Sequence, residues 1–453
     1  MAAPFGAAIR RPCVAHSHAR FVSGTAWAAI AVFATAYVLI ATEKIHRVAA
    51  ALAGAAIMLV IGATDAEHAF FSERAGVDWN VIVLLIGMML IVAVLKRTGA
   101  FEYLAIWATK RARGRPFRVM VLLVLVTAFV SAFLDNVTTV LLIAPVTFLV
   151  CERLNVPVAP FLIAEVFASN IGGTSTLVGD PPNIIIASRS GLSYNDFLIH
   201  LAPIVLVLMV VFIGLCRILF RSAFRYDPER ATQIAALRER DAIRDSRLLV
   251  VTMVVLAVVT AAFVLHTVLH LEPSVVAIVG GLVLLALSRL DAGEIAKDLE
   301  WPTLVFFAGL FVMVGALVHT GVIGEISRAA SDATEGRLFF ASIVLLWGSA
   351  ALSAVIDNIP YVATMSPVVA DMVHSNGNTS QSQVLWWALA LGADLGGNAT
   401  AVGASANVVV LGIAERAGKP ITFWHFTKYG LIVTIVSIAV TTPYVWLRYF
   451  ALA

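Results

Sequence analysis

The sequence predicts an all-α membrane protein built from two inverted-topology repeats, each with about five transmembrane helices, one re-entrant hairpin and one broken helix. Three observations carry this expectation. The 453 residues are 60% hydrophobic and 13% charged, with a mean hydropathy of +0.93, whereas soluble domains carry about 25% charged residues. Apolar stretches of roughly 17 to 25 residues, long enough to span, recur near Val32, Met58, Leu85, Leu208, Val255, Leu284, Phe311, Ile343 and Ile435. Motifs repeat at a fixed offset. Barrel strands would be shorter and alternate, so the spans are helices.

The repeat is read from paired motifs. "DW" at Asp78 returns as "EW" at Glu300, "LKRTG" ending at Gly99 as "LVHTG" ending at Gly321, "SAFLDN" from Ser131 as "SAVIDN" from Ser353, and Ala144-Pro145 as Ser366-Pro367. All four share an offset of 222 over 67 residues, which chance does not sustain. The register then slips by two, so that "NIGGT" from Asn170 answers "DLGGN" from Asp394 and "GDPPN" from Gly179 answers "GASAN" from Gly403.

The elements follow in chain order. Residues 1–21 form a tail, because no apolar core with a cleavage site precedes residue 21. The first repeat covers 22–220, with a hairpin over 117–152 and a broken helix over 158–190. A polar linker of alternating charge, 221–247, is expected in the cytoplasm as a solvated segment. The second repeat covers 248–453, with a hairpin over 337–374 and a broken helix over 384–415. Five crossings per half places 23 of the 31 Lys and Arg on the cytoplasmic side and makes the second half enter from the opposite face. Multi-pass residence in the plasma membrane is the corresponding expectation.

Four polar clusters interrupt the apolar helices: Asp135-Asn136 with Thr138, Asn170 to Asn183, Asp357-Asn358, and Asp394 to Asn407. A carboxylate at bilayer depth costs at least about 2.5–3.5 kcal/mol, so symmetric placement points to a shared polar cavity. In "NIGGTSTLVGDPPN", Gly172, Gly173 and Gly179 admit unusual dihedrals and Pro181 and Pro182 withhold helical donors, so the helix should unwind. Thr174, Asp180 and Asn183 line that break. Gly396, Gly397, Asn398, Ser405 and Asn407 line its counterpart. Oxygens of this kind suit Na⁺, and we expect a site from Asp135, Asn136, Asn183, Asp357, Asn358 and Asn407. A proton is the alternative coupling ion, with Glu165 as a carrier. Each residue has a plainer role. Thr138, Thr139, Ser131 and Ser353 can bond to their own helix or to a neighbour, Asp180 and Asp394 can cap helices, and Met88, Met89, Trp386 and Trp387 read as packing and interface anchors.

"LDNVTTVLLIAPVT", "IAEV" and "NIGGTSTLVGDPPNIII" resemble the family of the pink-eyed dilution P protein and the bacterial permeases grouped with arsenite efflux pumps and sodium/proton antiporters in the ion transporter superfamily. The likeness runs over most of the chain from about residue 22. It implies a dimerising scaffold domain and a transport domain of two hairpins and two broken helices that moves like an elevator. The family's hairpin-tip motifs fall on Asp135-Asn136 and Asp357-Asn358, and its broken-helix motifs on Asn170 to Asn183 and Asp394 to Asn407. The second half departs at Ala404, Ser405 and Ala406, where "DPP" would stand. The arsenite-pump side of the resemblance leaves room for a cytoplasmic ATPase subunit as partner.

Function classes narrow accordingly. A net charge of +3 spread over the loops argues against nucleic acid, and Cys13, Cys151 and Cys216 share no metal-ligand spacing. Without a P-loop, ATP hydrolysis within the chain is not expected, nor is any enzyme activity or bound cofactor. The four breaks hold Asp135, Asp180, Asp357 and Asp394 but no Lys or Arg, so the cavity should lean negative. The favoured expectation is an ion-coupled secondary transporter of arsenite, antimonite or a small anion. The alternatives are a Na⁺/H⁺ antiporter and, behind it, a receptor or scaffold that transports nothing.

Overall fold

The computed structural model describes residues 24–42, 45–72, 75–227, 239–334 and 336–452. The N-terminal tail and the middle of the linker lie outside them. Everything described is helix or turn. Helices α1 (Gly24–Ala41), α2 (Arg47–Val60), α3 (Ala66–Phe71), α4 (Trp79–Thr98) and α5 (Ala100–Arg111) lead to α6 (Pro116–Ser131) and α7 (Asn136–Leu154). Next come α8 (Ala159–Gly173), α9 (Pro181–Ser190) and α10 (Tyr194–Leu219). The second half supplies α11 (Ser246–Leu269), α12 (Pro273–Ser288), α13 (Ala292–Asp298), α14 (Trp301–His319) and α15 (Val322–Ala333). It ends with α16 (Leu338–Ser353), α17 (Asn358–Ser375), α18 (Val384–Gly396), α19 (Ser405–Arg416) and α20 (Phe423–Trp446). Two sequence halves thus give one order of elements twice.

Length separates spanning helices from the rest. Among the described residues, seven helices are long and apolar enough to cross a membrane: α1, α4, α7, α10, α11, α14 and α20 with its π-helical extension to Ala451. A further pair, α15 and α16, qualifies together but is bent by 118°. The stretches expected to span near Met58 and Leu284 form helices of only 14 and 16 residues, α2 and α12, short of the roughly 20 that cross a bilayer upright. Apolar composition overstated their length, because Ile61-Gly62 and Arg289 turn the chain early. Large side chains such as Leu206, Val210, Val258 and Val268 face outward, as lipid contact requires.

Packing between halves is reciprocal. Helix α2 packs on α14 and α12 on α4; α9 packs on α17 and α19 on α7. Between lipid-soluble helices there is no hydrophobic drive, so close backbone approach must hold them. Gly87 of α4 supplies it: a Cβ there would stand 2.3 Å from the Ala277 carbonyl carbon of α12. Its repeat partner, Gly309 of α14, meets Ala51 of α2, with a Cβ falling 3.0 Å from that backbone. One group of helices therefore contains α2, α4, α12 and α14. The other is built around the breaks, α6 to α9 with α16 to α19.

Candidate functional site

The four polar clusters all fall at helix ends inside the second group. Helices α6 and α7 are joined by the turn 132–135, and α16 and α17 by the turn 354–357. Asp135 caps α7 by accepting from Thr138 N at 2.8 Å, and Asp357 caps α17 by accepting from Ile359 N at 3.1 Å. Capping accounts for about 1 kcal/mol of helix stability and uses one oxygen of each carboxylate. Within the two segments expected as broken helices, 158–190 and 384–415, the helix is interrupted at 174–180 and at 397–404, where glycines stand in both and the Pro181-Pro182 pair follows the first. Glycine is needed where the broken ends turn past the hairpin arms. A Cβ on Gly179 would stand 2.5 Å from Gly173 O and 2.6 Å from Ser131 O, and Gly403 makes the matching approach to Gly397 O and Ser353 O.

Buried amides join the clusters. Asn136 Nδ2 donates to Asn170 Oδ1 and to Asp180 Oδ2, each at 3.1 Å. Asn170 Nδ2 donates to Asn398 Oδ1 at 2.9 Å and to Asn407 Oδ1 at 3.2 Å, crossing from the first half to the second. Asn183 Nδ2 reaches the Thr174 and Thr176 carbonyls, and Asn407 Nδ2 reaches those of Gly397 and Thr400 at 2.7 and 2.8 Å. These side chains tie down the free carbonyls that unwinding leaves. Ser131 bonds Ser169 at 3.0 Å and Ser353 donates to Ala393 O at 2.6 Å. Both serines thus serve neighbouring helices and not their own.

The same core holds polar atoms without protein partners. Asn170, Asp180, Asn183, Asp394, Asn398 and Asn407 are fully buried. Both carboxylate oxygens of Asp394, Oδ1 of Asp180 and Oδ1 of Asn183 lack a hydrogen bond among the described residues, as do Nδ2 of Asn358 and Asn398. Asp180 stands within electrostatic reach of Asp394, Asp357 and Asp135, and Asn358 faces it; Thr174 faces Asp394. Orphaned carboxylate and amide oxygens at this depth are the donor set a hard cation takes. Neither Asp180 nor Asp394 caps a helix: Asp180 makes no capping bond to α9, and Asp394 lies inside α18. Among the described residues no three His, Cys, Asp or Glu side chains converge on one metal position. Any cation here is held by carbonyl and amide oxygens as much as by carboxylates.

Two cavities open against the helix-pair tips that carry Asp135 and Asp357, and neither is lined by Asp180, Asn183, Asp394 or Asn398. One of about 40 Å³ is lined by Met88, Met89, Asp135, Asn136, Pro181 and Ile359, among others, and has room for an ion or a few waters. A larger one of about 520 Å³ reaches Asp357, Val402, Ser405 and Val408. Both share Arg47, Glu300, Thr303 and Ser405. The breaks themselves hold no Lys or Arg, and the one such side chain on these walls, Arg47, comes from outside them and stands against Asp135, Asp357 and Glu300. Arg47, from the start of α2 and distant in sequence from every break, donates to Ser405 Oγ at 2.8 Å and lies 3.9 Å from Asp357 Oδ2. Glu300 was legible only as the repeat partner of Asp78, and nothing in the sequence around Arg47 marked it.

Other expected residues sit elsewhere. Glu165 accepts from Thr147 Oγ1 at 2.5 Å, in contact with α7 and apart from the amide network. Thr138 enters the site through its amide, and Thr139 Oγ1 is buried without a hydrogen-bond partner among the described residues. Gly172 and Gly396 press on the backbones of Ala128 and Ala350 and act through packing. Trp386 and Trp387 are buried, and Trp387 stacks on His200 at 4.7 Å, so they are core residues and not interface anchors.

Among the described residues, seven helices long and apolar enough to span, two broken ones and a buried polar core fit a multi-pass membrane protein, and the family match makes it a transporter and not an enzyme. The citrate transporter family matches residues 37–392, and the chain belongs to it. The 46 kDa membrane protein of Mycobacterium leprae is 55% identical over 425 residues, covering 94% of this chain and 99% of the relative. The human P protein is 34% identical over 92% of this chain, which spans 59% of that protein. In fold, the chain is similar to the Alcanivorax borkumensis YdaH transporter, with a TM-score of 0.57, 16% identity, and coverage of 81% and 84% of the two chains.

Proposed function

We propose that the chain is an ion-coupled secondary active transporter, driven by Na⁺ or H⁺, that moves a small inorganic or organic anion, arsenite or antimonite by an elevator-type shift. The observation that carries this reading is the amide of Asn170, which bridges both broken helices and, through Asn136, a helix-pair tip. Such a junction can pass the state of one break to the other. The coupling cation is held by the orphaned oxygens around Asp180, Asn183 and Asp394, with Asp135, Asn136, Asn358 and Asn407 completing the set, and Asp357 bounds the site beside Arg47. Hydroxyls, amides and helix ends bind the substrate beside it. Arg47 lowers the negative charge of the larger cavity and removes the main electrostatic objection to an anion.

In this reading the two halves are inverted repeats, 22–220 and 248–453, joined by a cytoplasmic linker in a plasma-membrane protein. The helices around α2, α4, α12 and α14 form a scaffold that pairs with a second copy. The helices around the breaks travel. A second reading, Na⁺/H⁺ exchange, is favoured by one feature: Asp394 is a buried carboxylate whose two oxygens have no hydrogen-bond partner among the described residues, suited to alternate between a proton and a cation.

The test is flux in proteoliposomes with Na⁺ and pH varied separately. Asp135→Asn and Asp357→Asn should each abolish ion-coupled flux. Undiminished flux in both removes the site assignment. Expression in an efflux-deficient host should lower arsenite sensitivity if arsenite is the substrate; no protection despite good expression favours the other substrates.

A further inference from the structure

Asp135 and Asp357 are repeat partners, yet their surroundings differ. Asp357 Oδ2 accepts from Ser405 Oγ at 2.5 Å and lies 3.9 Å from Arg47 Nη1, and Ser405 Oγ in turn accepts from the same Nη1 at 2.8 Å. One hydroxyl thus links guanidinium to carboxylate. Arg47 is further placed by Thr303 Oγ1 at 3.4 Å and by the Phe306 ring 5.5 Å from its guanidinium carbon. Asp135 has no ion pair among the described residues; its carboxylate accepts from Thr138 N within its own helix start and faces the small cavity, whose wall also carries Glu300, within electrostatic reach of both Asp135 and Arg47.

The sequence makes the difference permanent. In the first half the position of Ser405 is taken by Pro181, which has no hydroxyl, and in the second half the position of Arg47, first residue of its helix, is taken by Pro273. The cationic cluster therefore exists at one tip only. A guanidinium is never deprotonated in proteins and is the least strongly hydrated of the basic side chains, so it can stay beside a half-buried carboxylate where an ammonium would leave for water. A second cation beside Asp357 would meet the guanidinium's repulsion at close range.

We propose that Arg47 is a built-in replacement for one of the two cations that the paired aspartates would otherwise take. The Asp357 half is neutralised by the protein itself, and at most one exchangeable cation binds, at the Asp135 half. This inference rests on the ion-coupled reading above and fixes its stoichiometry. It also gives Arg47 a place in coupling. The residue belongs to α2, outside the helices of the breaks, so movement of those helices carries Asp357 and Ser405 away from it.

Equilibrium binding of radioactive sodium to the purified full-length protein tests it without transport. Wild type should saturate at no more than one Na⁺ per chain, with Asp135→Asn removing it. Arg47→Gln should bind one Na⁺ more than wild type, Arg47→Lys none more, and Arg47→Gln combined with Asp357→Asn should lose the gain. Two Na⁺ on wild type, or equal stoichiometry in Arg47→Gln and wild type, overturns the inference. Should Arg47→Gln fail to elute as a folded species, the wild-type stoichiometry decides: no more than one Na⁺ per chain, lost in Asp135→Asn, sustains the inference, and two overturn it. The expected stoichiometry without any flux in the same preparations would defeat the transporter reading and leave the role of Arg47 standing.

Discussion

Asn170 shows how much one side chain can carry in this protein. Its amide makes three recorded side-chain hydrogen bonds, to Asn136, Asn398 and Asn407, in a fully buried position. Asn170→Ala would strand those partners, and each buried unsatisfied group costs about 1–3 kcal/mol. The variant should lose about 2–4 kcal/mol of stability, read as a lower SDS-denaturation midpoint in mixed micelles, and should lose flux as well. A midpoint equal to wild type would mean that water takes over the bonds and that the bridge does not hold the halves together. The sequence pointed to Asn170 because a polar residue in an apolar run needs partners. It gave no hint of Arg47, whose neighbourhood reads as an ordinary basic loop end. The guanidinium gains meaning only from Ser405 and Asp357, more than 300 residues away.

At the scale of elements, the crossings of α4 on α12 and of α14 on α2 depend on one glycine of the repeat in each copy. A larger side chain at Gly87 meets backbone at 2.3 Å, which cannot yield, whereas at Gly309 the corresponding distance is 3.0 Å. Overpacking costs about 1–3 kcal/mol where neighbours can adjust and more where they cannot. Gly87→Leu should therefore reduce the yield of monodisperse protein more than Gly309→Leu does, measured by gel filtration from equal expression. The reverse order would mean that the two crossings are not tightened in the same way. Helix identity at these sites was legible from composition. Helix length was not, since α2 and α12 end early at turns that an apolar run conceals. The breaks in α8–α9 and α18–α19 were legible for the opposite reason: glycine and proline act locally and need no tertiary partner.

For the whole molecule the central question is insertion. The reciprocal packing of α2 on α14 and α12 on α4 is what a twofold relation between the halves produces. Inverted repeats put the starts of α2 and α12 on opposite faces of the membrane. Ile45 and Leu271, both exposed beside those starts, are suitable reporters. In a variant lacking Cys13, with Cys151 and Cys216 buried, Ile45→Cys should resist an impermeant maleimide on intact cells while Leu271→Cys reacts. Equal labelling of both would place them on one side and end the inverted arrangement.

The sequence by itself determined the membrane setting, the helical class, the doubled order of elements and the four polar breaks, because these follow from hydropathy, period and the backbone chemistry of glycine and proline. Tertiary structure alone decided which breaks touch, that Asn170 joins the halves, and that a distant arginine neutralises one of two repeat-related aspartates. The physical reason is range. Unwinding and burial are imposed by neighbours along the chain, whereas the charge balance of a cavity is set by whichever side chains the packing brings to its wall.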